Sequence, residues 1–262
     1  MNKVELIQKL DEINFGDFFY NNYFIHEYSI DYGNRIGNLT FPSLLEAGLH
    51  YSYINNDFPI NNYDQFTAKW KDILRNENDL CKKLLCIVEI FVWGGVPKKN
   101  IKKAIDFYNL NQLENRLQDL SNYFNNEDSE NLPNINNYFS SGWTKISHFL
   151  IQNVMIYDSR SAAFLNFILN RIADINPNIV LTPIFSELVQ INSLSPNRLR
   201  YINNDHFANY SPANHLKANL IGSWIIEYLV YNNNFGVEEF HTQFDLFDKA
   251  FFMLGFDLNQ IV

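Results

Sequence analysis

Lys145 and Asp158 are the two residues of this chain whose types and spacing can do chemistry together. They stand in SGWTKISHFLIQNVMIYDSRSAAFLNFIL (141–169). An apolar stretch carrying one lysine there turns into a second stretch that opens on Tyr-Asp-Ser-Arg. Ile146, Phe149 and Leu150 continue a helical face from Lys145. Ser140, Ser141 and Gly142 precede that helix and Asn153 breaks it. Ala162, Leu165, Ile168 and Leu169 are the apolar face of the next helix. Asp158 therefore falls at an N-cap, where its carboxylate meets unpaired backbone N–H groups at the positive end of the helix dipole. Capping alone accounts for an aspartate at 158. It does not account for Lys145, Tyr157 and Arg160, which two short antiparallel helices would gather at one end.

A second cluster lies in WGGVPKKNIKK (93–103). Pro97 restarts a helix after Gly94 and Gly95, and Lys98, Lys99, Lys102 and Lys103 fall around its first turns. Lysines at a helix N-terminus oppose the dipole by a few tenths of a kcal/mol each. An anionic partner such as a phosphate would compensate them; a merely solvated helix face is the plainer reading. Arg198 and Arg200, in the loop SLSPNRLRYINNDHFANYSPAN (193–214), are further candidates for phosphate contact.

The elements that must position these residues read as a string of helices. Thr40 is expected to cap a helix over FPSLLEAGLHYS, and Asn62 to precede YDQFTAKWKDILRN. ENDLCKKLLCIVEIFVW should stop at Gly94–Gly95. Further helices are expected in QLENRLQDLSNYF, GWTKISHFLIQ, SRSAAFLNFILNRIA, IVLTPIFSELVQI, NHLKANLIGSWIIEYLVYN and VEEFHTQFDLFDKAFFML. FIHEYSIDYG is the best strand candidate, and residues 125–137 and 193–214 read as loops. The expected class is all-α or nearly so. The expected organisation is one helical domain, or two intimately packed lobes over approximately 1–135 and 136–262.

Composition narrows the function. The chain has 262 residues, 47% of them hydrophobic, and a net charge of −9. Residues 1–66 carry 3 basic and 9 acidic side chains, so positive charge gathers in the middle of the chain. No apolar run is long enough for a membrane span. The spacing of Cys81 and Cys86 suits neither a disulfide nor a zinc site, which points to a reducing cytoplasm. The six histidines offer no pair at metal-ligand spacing. No G-x-S-x-G, Walker, G-x-G-x-x-G or H-E-x-x-H motif is present, so neither a metal nor another cofactor is expected.

GWTKI, followed by an apolar helix and YDSRSAAFLNFIL, resembles the active-site segment of the helix–hairpin–helix base-excision DNA glycosylases. In that family a glycine-containing hairpin (L-P-G-[VI]-G-x-K-[TV]-A) offers backbone amides to a DNA phosphate. A lysine, when present, opens the second hairpin helix, and a catalytic aspartate begins the next. Lys145 takes the lysine position, with Thr144 before it, and Asp158 takes the aspartate position. The departures are plain. The hairpin is reduced to SSGW with a single glycine, Gly142, the connection from lysine to aspartate is short, and Arg160 follows the aspartate where the family has histidine. No iron–sulfur cysteine set is present, and the resemblance covers residues 141–170.

The resemblance implies a fold similar to those glycosylases, with 141–170 as a hairpin-like active-site segment, and cleavage of the N-glycosidic bond of a flipped base. Such cleavage builds an oxocarbenium-like positive charge on the sugar. A fixed carboxylate about 4 Å away, at an effective dielectric of ~20, attracts it by roughly 4 kcal/mol, about a thousandfold in rate. Lys145 is then either an amine nucleophile at C1′ or a partner for a phosphate or carboxylate, the second being preferred. Gly142, Thr144 and Arg160 join the lysines and loop arginines as DNA contacts. Trp143, Tyr157, Trp93 and His148 are base-pocket candidates, although in so aromatic a chain each reads first as a packing residue. The expected partner is double-stranded DNA, with damaged or modified bases as targets, and phage-modified cytosine in an antiviral role among them. The chain is expected to act as a monomer. The alternatives are a non-catalytic helical DNA-binding or protein-interaction module, and a helical protein whose acidic ends bind a basic partner.

Overall fold

Short apolar helices that each bury one face must find partners, and here they find them across long sequence distances. The computed structural model describes residues 1–33, 36–51, 63–191, 198–232 and 240–261. Asn62, Ser52, the first residues of the 193–214 loop and the start of VEEFHTQFDLFDKAFFML lie outside them. Helices α1 (Lys3–Glu12) and α2 (Phe15–Phe19) lead through a π-helical turn into strand β1 (Tyr28–Asp31). This strand pairs antiparallel with β2 (Asn38–Phe41), Tyr28 opposite Phe41, as expected for a strand in FIHEYSIDYG. Thr40 lies in β2 and caps nothing. Ser43 caps the next helix, α3 (Leu44–Leu49), by accepting the Glu46 N–H.

Two sets of helices follow. The first runs through α4 (Tyr63–Asn76), α5 (Leu80–Trp93), α6 (Lys98–Asn109), α7 (Leu113–Phe124) and α8 (Ser141–Leu150). Consecutive members pack on one another as far as α7, and α8 returns to α4, α5 and α7. The second gathers α9 (Ser161–Ile175), α11 (Pro212–Asn232) and α12 (Phe240–Leu254) with the first fifty residues, since α12 packs on α3, α9 and α11, and α1 and α2 pack on α11. The packing partners therefore do not divide at residue 135. α8 stays with the first set, the N-terminal segment joins the last third of the chain, and one apolar cluster runs through both.

Two expected elements differ. IVLTPIFSELVQI yields only the single turn α10 (Thr182–Phe185). Its backbone is used elsewhere, because Val189 O accepts from Tyr157 Oη and Asn166 Nδ2 and cannot also serve a helix. The asparagine-rich stretch 125–137 is tied down at several points. Glu127 O accepts the Lys3 N–H, and the fully buried Ser129 donates to Met1 O. Cys81 is exposed at the start of α5, Cys86 is buried one turn further on, and both are free thiols. No described helix is long and apolar enough to cross a membrane.

Candidate active site

The chain passes from the first helix set to the second along residues 151–160, and the Lys145–Asp158 pair sits on that passage. α8 ends at Leu150, and Asn153 takes the left-handed conformation that releases the helix. Regular helix resumes at Ser161, with Arg160 at the N-cap position. Asp158 still does the capping work: its Oδ1 accepts the N–H groups of Arg160 (2.9 Å) and Ser161 (3.3 Å). Its other oxygen lies 3.5 Å from Lys145 Nζ, which also donates to Ser141 O at 3.2 Å. The pair is nearly enclosed, with side-chain exposures of 8% for Lys145 and 13% for Asp158.

Lys145 can lie there because residue 94 has no side chain. A Cβ at Gly94 would come within 2.6 Å of Lys145 Cδ and 2.7 Å of Cε. The lysine stem thus crosses the end of α5, where Gly95 makes the left-handed turn toward Pro97. A small cavity of about 30 Å³ opens on the pair, lined among the described residues by Tyr51, Trp93, Gly94, Lys145, Ile156, Asp158 and Phe252. Three of these seven residues are aromatic: Tyr51 and Phe252 lie 5.3 Å apart between ring centroids, and the Arg160 guanidinium sits 4.3 Å above Phe252.

The strap from Val154 to Asp158 carries backbone polar groups through the interior, and buried side chains meet them. His148 Nδ1 lies 2.7 Å from Val154 O. Ser223 Oγ accepts the Met155 N–H at 3.0 Å, and Asn219 Nδ2 donates to Met155 O at 2.8 Å. Asp248 receives the Ile156 N–H at 3.1 and 3.2 Å from its two oxygens. His215 Nε2 lies 2.8 Å from Tyr157 O. A ring nitrogen facing a carbonyl must carry the proton, which fixes both tautomers. Gly222 completes the fit, since a Cβ there would meet Met155 Sδ at 2.6 Å and Tyr157 Cδ2 at 3.1 Å.

Burial also fixes charge. It pushes the imidazolium pKa of His148 and of His215 down to about 4. Burial, with the neighbouring Asp245 and Asp158 carboxylates, drives the Asp248 carboxyl well above the usual range. His148 and Asp248 are only 3.6 Å apart, and burial works against the charged form of each.

The structure distributes the remaining candidates unevenly. Trp93 lines the cavity. Trp143 is fully buried between Phe91 and Phe107, and Tyr157 is fully buried with its hydroxyl on Val189 O, so neither reaches the cavity. His148 faces the strap from α8, with its Nδ1 on Val154 O. Thr144 is fully buried and bonded to Ser141 O, and Gly142 is packed against Val96 and Asn100, so neither presents itself to a phosphate. Arg200 is also interior: it donates to Phe256 O and Ser159 Oγ, and burial lowers its pKa to about 10. Arg198 stacks on the Phe256 ring at 3.8 Å. Lys98, Lys99 and Lys102 stand at or near the start of α6 with no carboxylate partner among the described residues, while Lys103 lies 3.8 Å over the Tyr138 ring. No group of metal-ligating side chains occurs among the described residues.

Sequence reading missed Tyr51, Phe252 and the strap's partners. A signal for the latter existed. His215, Asn219 and Ser223 are polar residues four apart on one face of a helix rich in apolar residues, and Asp248 is an acid among phenylalanines. No protein-family model, curated protein or solved structure matches the chain.

Proposed function

We propose that the chain is a DNA glycosylase-like enzyme that cleaves the N-glycosidic bond of a flipped base, Asp158 stabilising the oxocarbenium-like sugar. The observation that carries this reading is the enclosed Asp158–Lys145 pair facing a small cavity that Tyr51, Trp93 and Phe252 help to line. In this reading the C1′–N bond breaks, its electron pair leaves with the base, and water supplies the hydroxyl at C1′. Two backbone N–H groups hold the Asp158 carboxylate fixed in direction, so little reorganisation accompanies the charge that develops. Lys145 acts as a charge partner and not as a nucleophile, since its Nζ is already engaged by the Asp158 carboxylate and by Ser141 O. Tyr51, Trp93 and Phe252 are the rings available to an unstacked base. Lys98, Lys99 and Lys102, which have no carboxylate partner among the described residues, would meet the phosphate backbone of double-stranded DNA. A fold like that of the helix–hairpin–helix glycosylases, and modified phage DNA as the target, belong to the same proposal. Two free cysteines fit a reducing cytoplasm.

The test is incubation of the protein with duplexes carrying damaged or modified bases, glycosylated cytosine included, and measurement of abasic sites. Asp158→Asn is expected to slow their formation about a thousandfold. Absence of abasic sites on every substrate, or full activity of Asp158→Asn, sinks the catalytic reading. One observation favours a second reading, a non-catalytic DNA-binding module: Lys145 and Asp158 already satisfy each other. In that case Asp158→Ala leaves salt-sensitive DNA binding unchanged or stronger.

A further inference from the structure

We propose that Asp248, with His215, Asn219 and Ser223, forms a positioning set that holds Asp158 against Lys145 through the backbone of the 154–158 strap. Four observations carry this. The set comes from two helices, α11 and α12, that lie far from α8 in sequence and enclose the strap. Its members are buried, with exposures of 3% for Asp248, 0% for His215 and Asn219, and 2% for Ser223. Each bonds a different backbone atom: Met155 N, Met155 O, Ile156 N and Tyr157 O. The last two lie within two residues of Asp158, whose own N–H donates to Ile156 O at 2.9 Å.

Apolar residues would pack these helices equally well, and four polar groups in the interior are costly unless each is matched. What the polar set adds is direction. A hydrogen bond fixes the rotation of a peptide plane, which packing leaves loose, and the rotations of the planes at 155–157 decide where the Asp158 carboxylate points. Asp248 is central, because both of its oxygens lie within reach of one N–H. The side-chain amide oxygen of asparagine can accept the same N–H, so the conservative amide should substitute for it.

The catalytic consequence rests on the reading of Asp158 given above, but the positioning itself does not. The experiment is hydrogen exchange at the Arg160 and Ser161 amides, which donate to Asp158, in the full chain. Asp248→Ala is expected to raise exchange there roughly tenfold or more while α5–α7 keep their protection, and Asp248→Asn to restore the wild-type rate. Ser223→Ala, which removes the Met155 acceptor with little change in volume, should raise it several-fold and serves where Asp248→Ala does not fold. Unchanged exchange in the folded Ala variants, or failure of Asn to rescue, overturns the proposal. In the base-release assay Asp248→Ala should lower kcat about tenfold with KM nearly constant. A wild-type protein without base release defeats the glycosylase reading and leaves the exchange result standing.

Discussion

The strap at 154–158 and the lysine turn at 94–103 are neighbours built on opposite principles. In the strap, polar backbone atoms are taken up by buried side chains from three helices, and burial disfavours the charged forms of His148, His215 and Asp248 among them. In the turn, Lys98, Lys99 and Lys102 face solvent without a carboxylate partner among the described residues. Satisfied hydrogen bonds in a low dielectric fix geometry. Unpaired charge in water fixes nothing, but it attracts at a distance. The contrast separates a place made to hold one carboxylate in one attitude from a face suited to a polyanion. Gly94 joins them, since the lysine that meets Asp158 lies across the residue that starts the turn.

Acid attacks the enclosed region first. His148 and His215 titrate near 6.5 when unfolded and near 4 when folded. Above pH 6.5 both are neutral in either state and cost nothing. As the pH falls toward 4 the unfolded chain binds protons that the folded chain refuses, so stability is lost across that window, by about 3 kcal/mol for each histidine. Asp248 acts in the opposite sense. Its raised folded value gives stability that is present at low pH and lost as the pH rises. Urea unfolding of Asp248→Asn between pH 7 and 4 isolates the histidines, and a flat profile would mean that the strap is not closed. The same variant should gain stability over wild type as the pH rises above about 4.

Gly94→Ala tests the junction. The backbone at 94 suits alanine, and the two nearest atoms in its way belong to the flexible Lys145 stem, with Ile90 O beyond them at 3.2 Å. Little stability should be lost, yet Lys145 must move, and base release should fall about 10- to 100-fold. Equal activity would show that the site does not depend on where Lys145 lies. The smallest effect is expected in the open region. Neutralising Lys98, Lys99 and Lys102 to Gln should leave thermal unfolding nearly unchanged and reduce the salt dependence of DNA binding by a log–log slope of about 3. An unchanged slope in gel shifts across salt concentrations removes those lysines from the interface.

Helix identity was legible because apolar spacing and caps are local. α4 through α9, α11 and α12 fall where periodicity placed them, and β1 falls in the expected strand. Local signals misplaced Thr40 and overextended the turn at 182–185, where Pro183 and the cross-chain demands on Val189 O override propensity. The Lys145–Asp158 contact was legible because one short connection closes it. The cavity was not. Tyr51 and Phe252 reach it from opposite ends of the chain, and no spacing rule relates residues two hundred positions apart. Burial was misjudged for a related reason. Arg200 and Thr144 look like surface polar residues until the partners that enclose them are known.

The two thiols of α5 make the molecule easy to instrument. Cys81 is exposed, whereas burial pushes the Cys86 thiol up to about 12 and leaves it almost no reactive thiolate at neutral pH. A maleimide dye should therefore attach at Cys81 alone, with no residue replaced. Thirteen residues of helix separate that position from Gly94, a rise of about 20 Å. A donor there and an acceptor on a duplex would form an optical ruler aimed at the lysine turn.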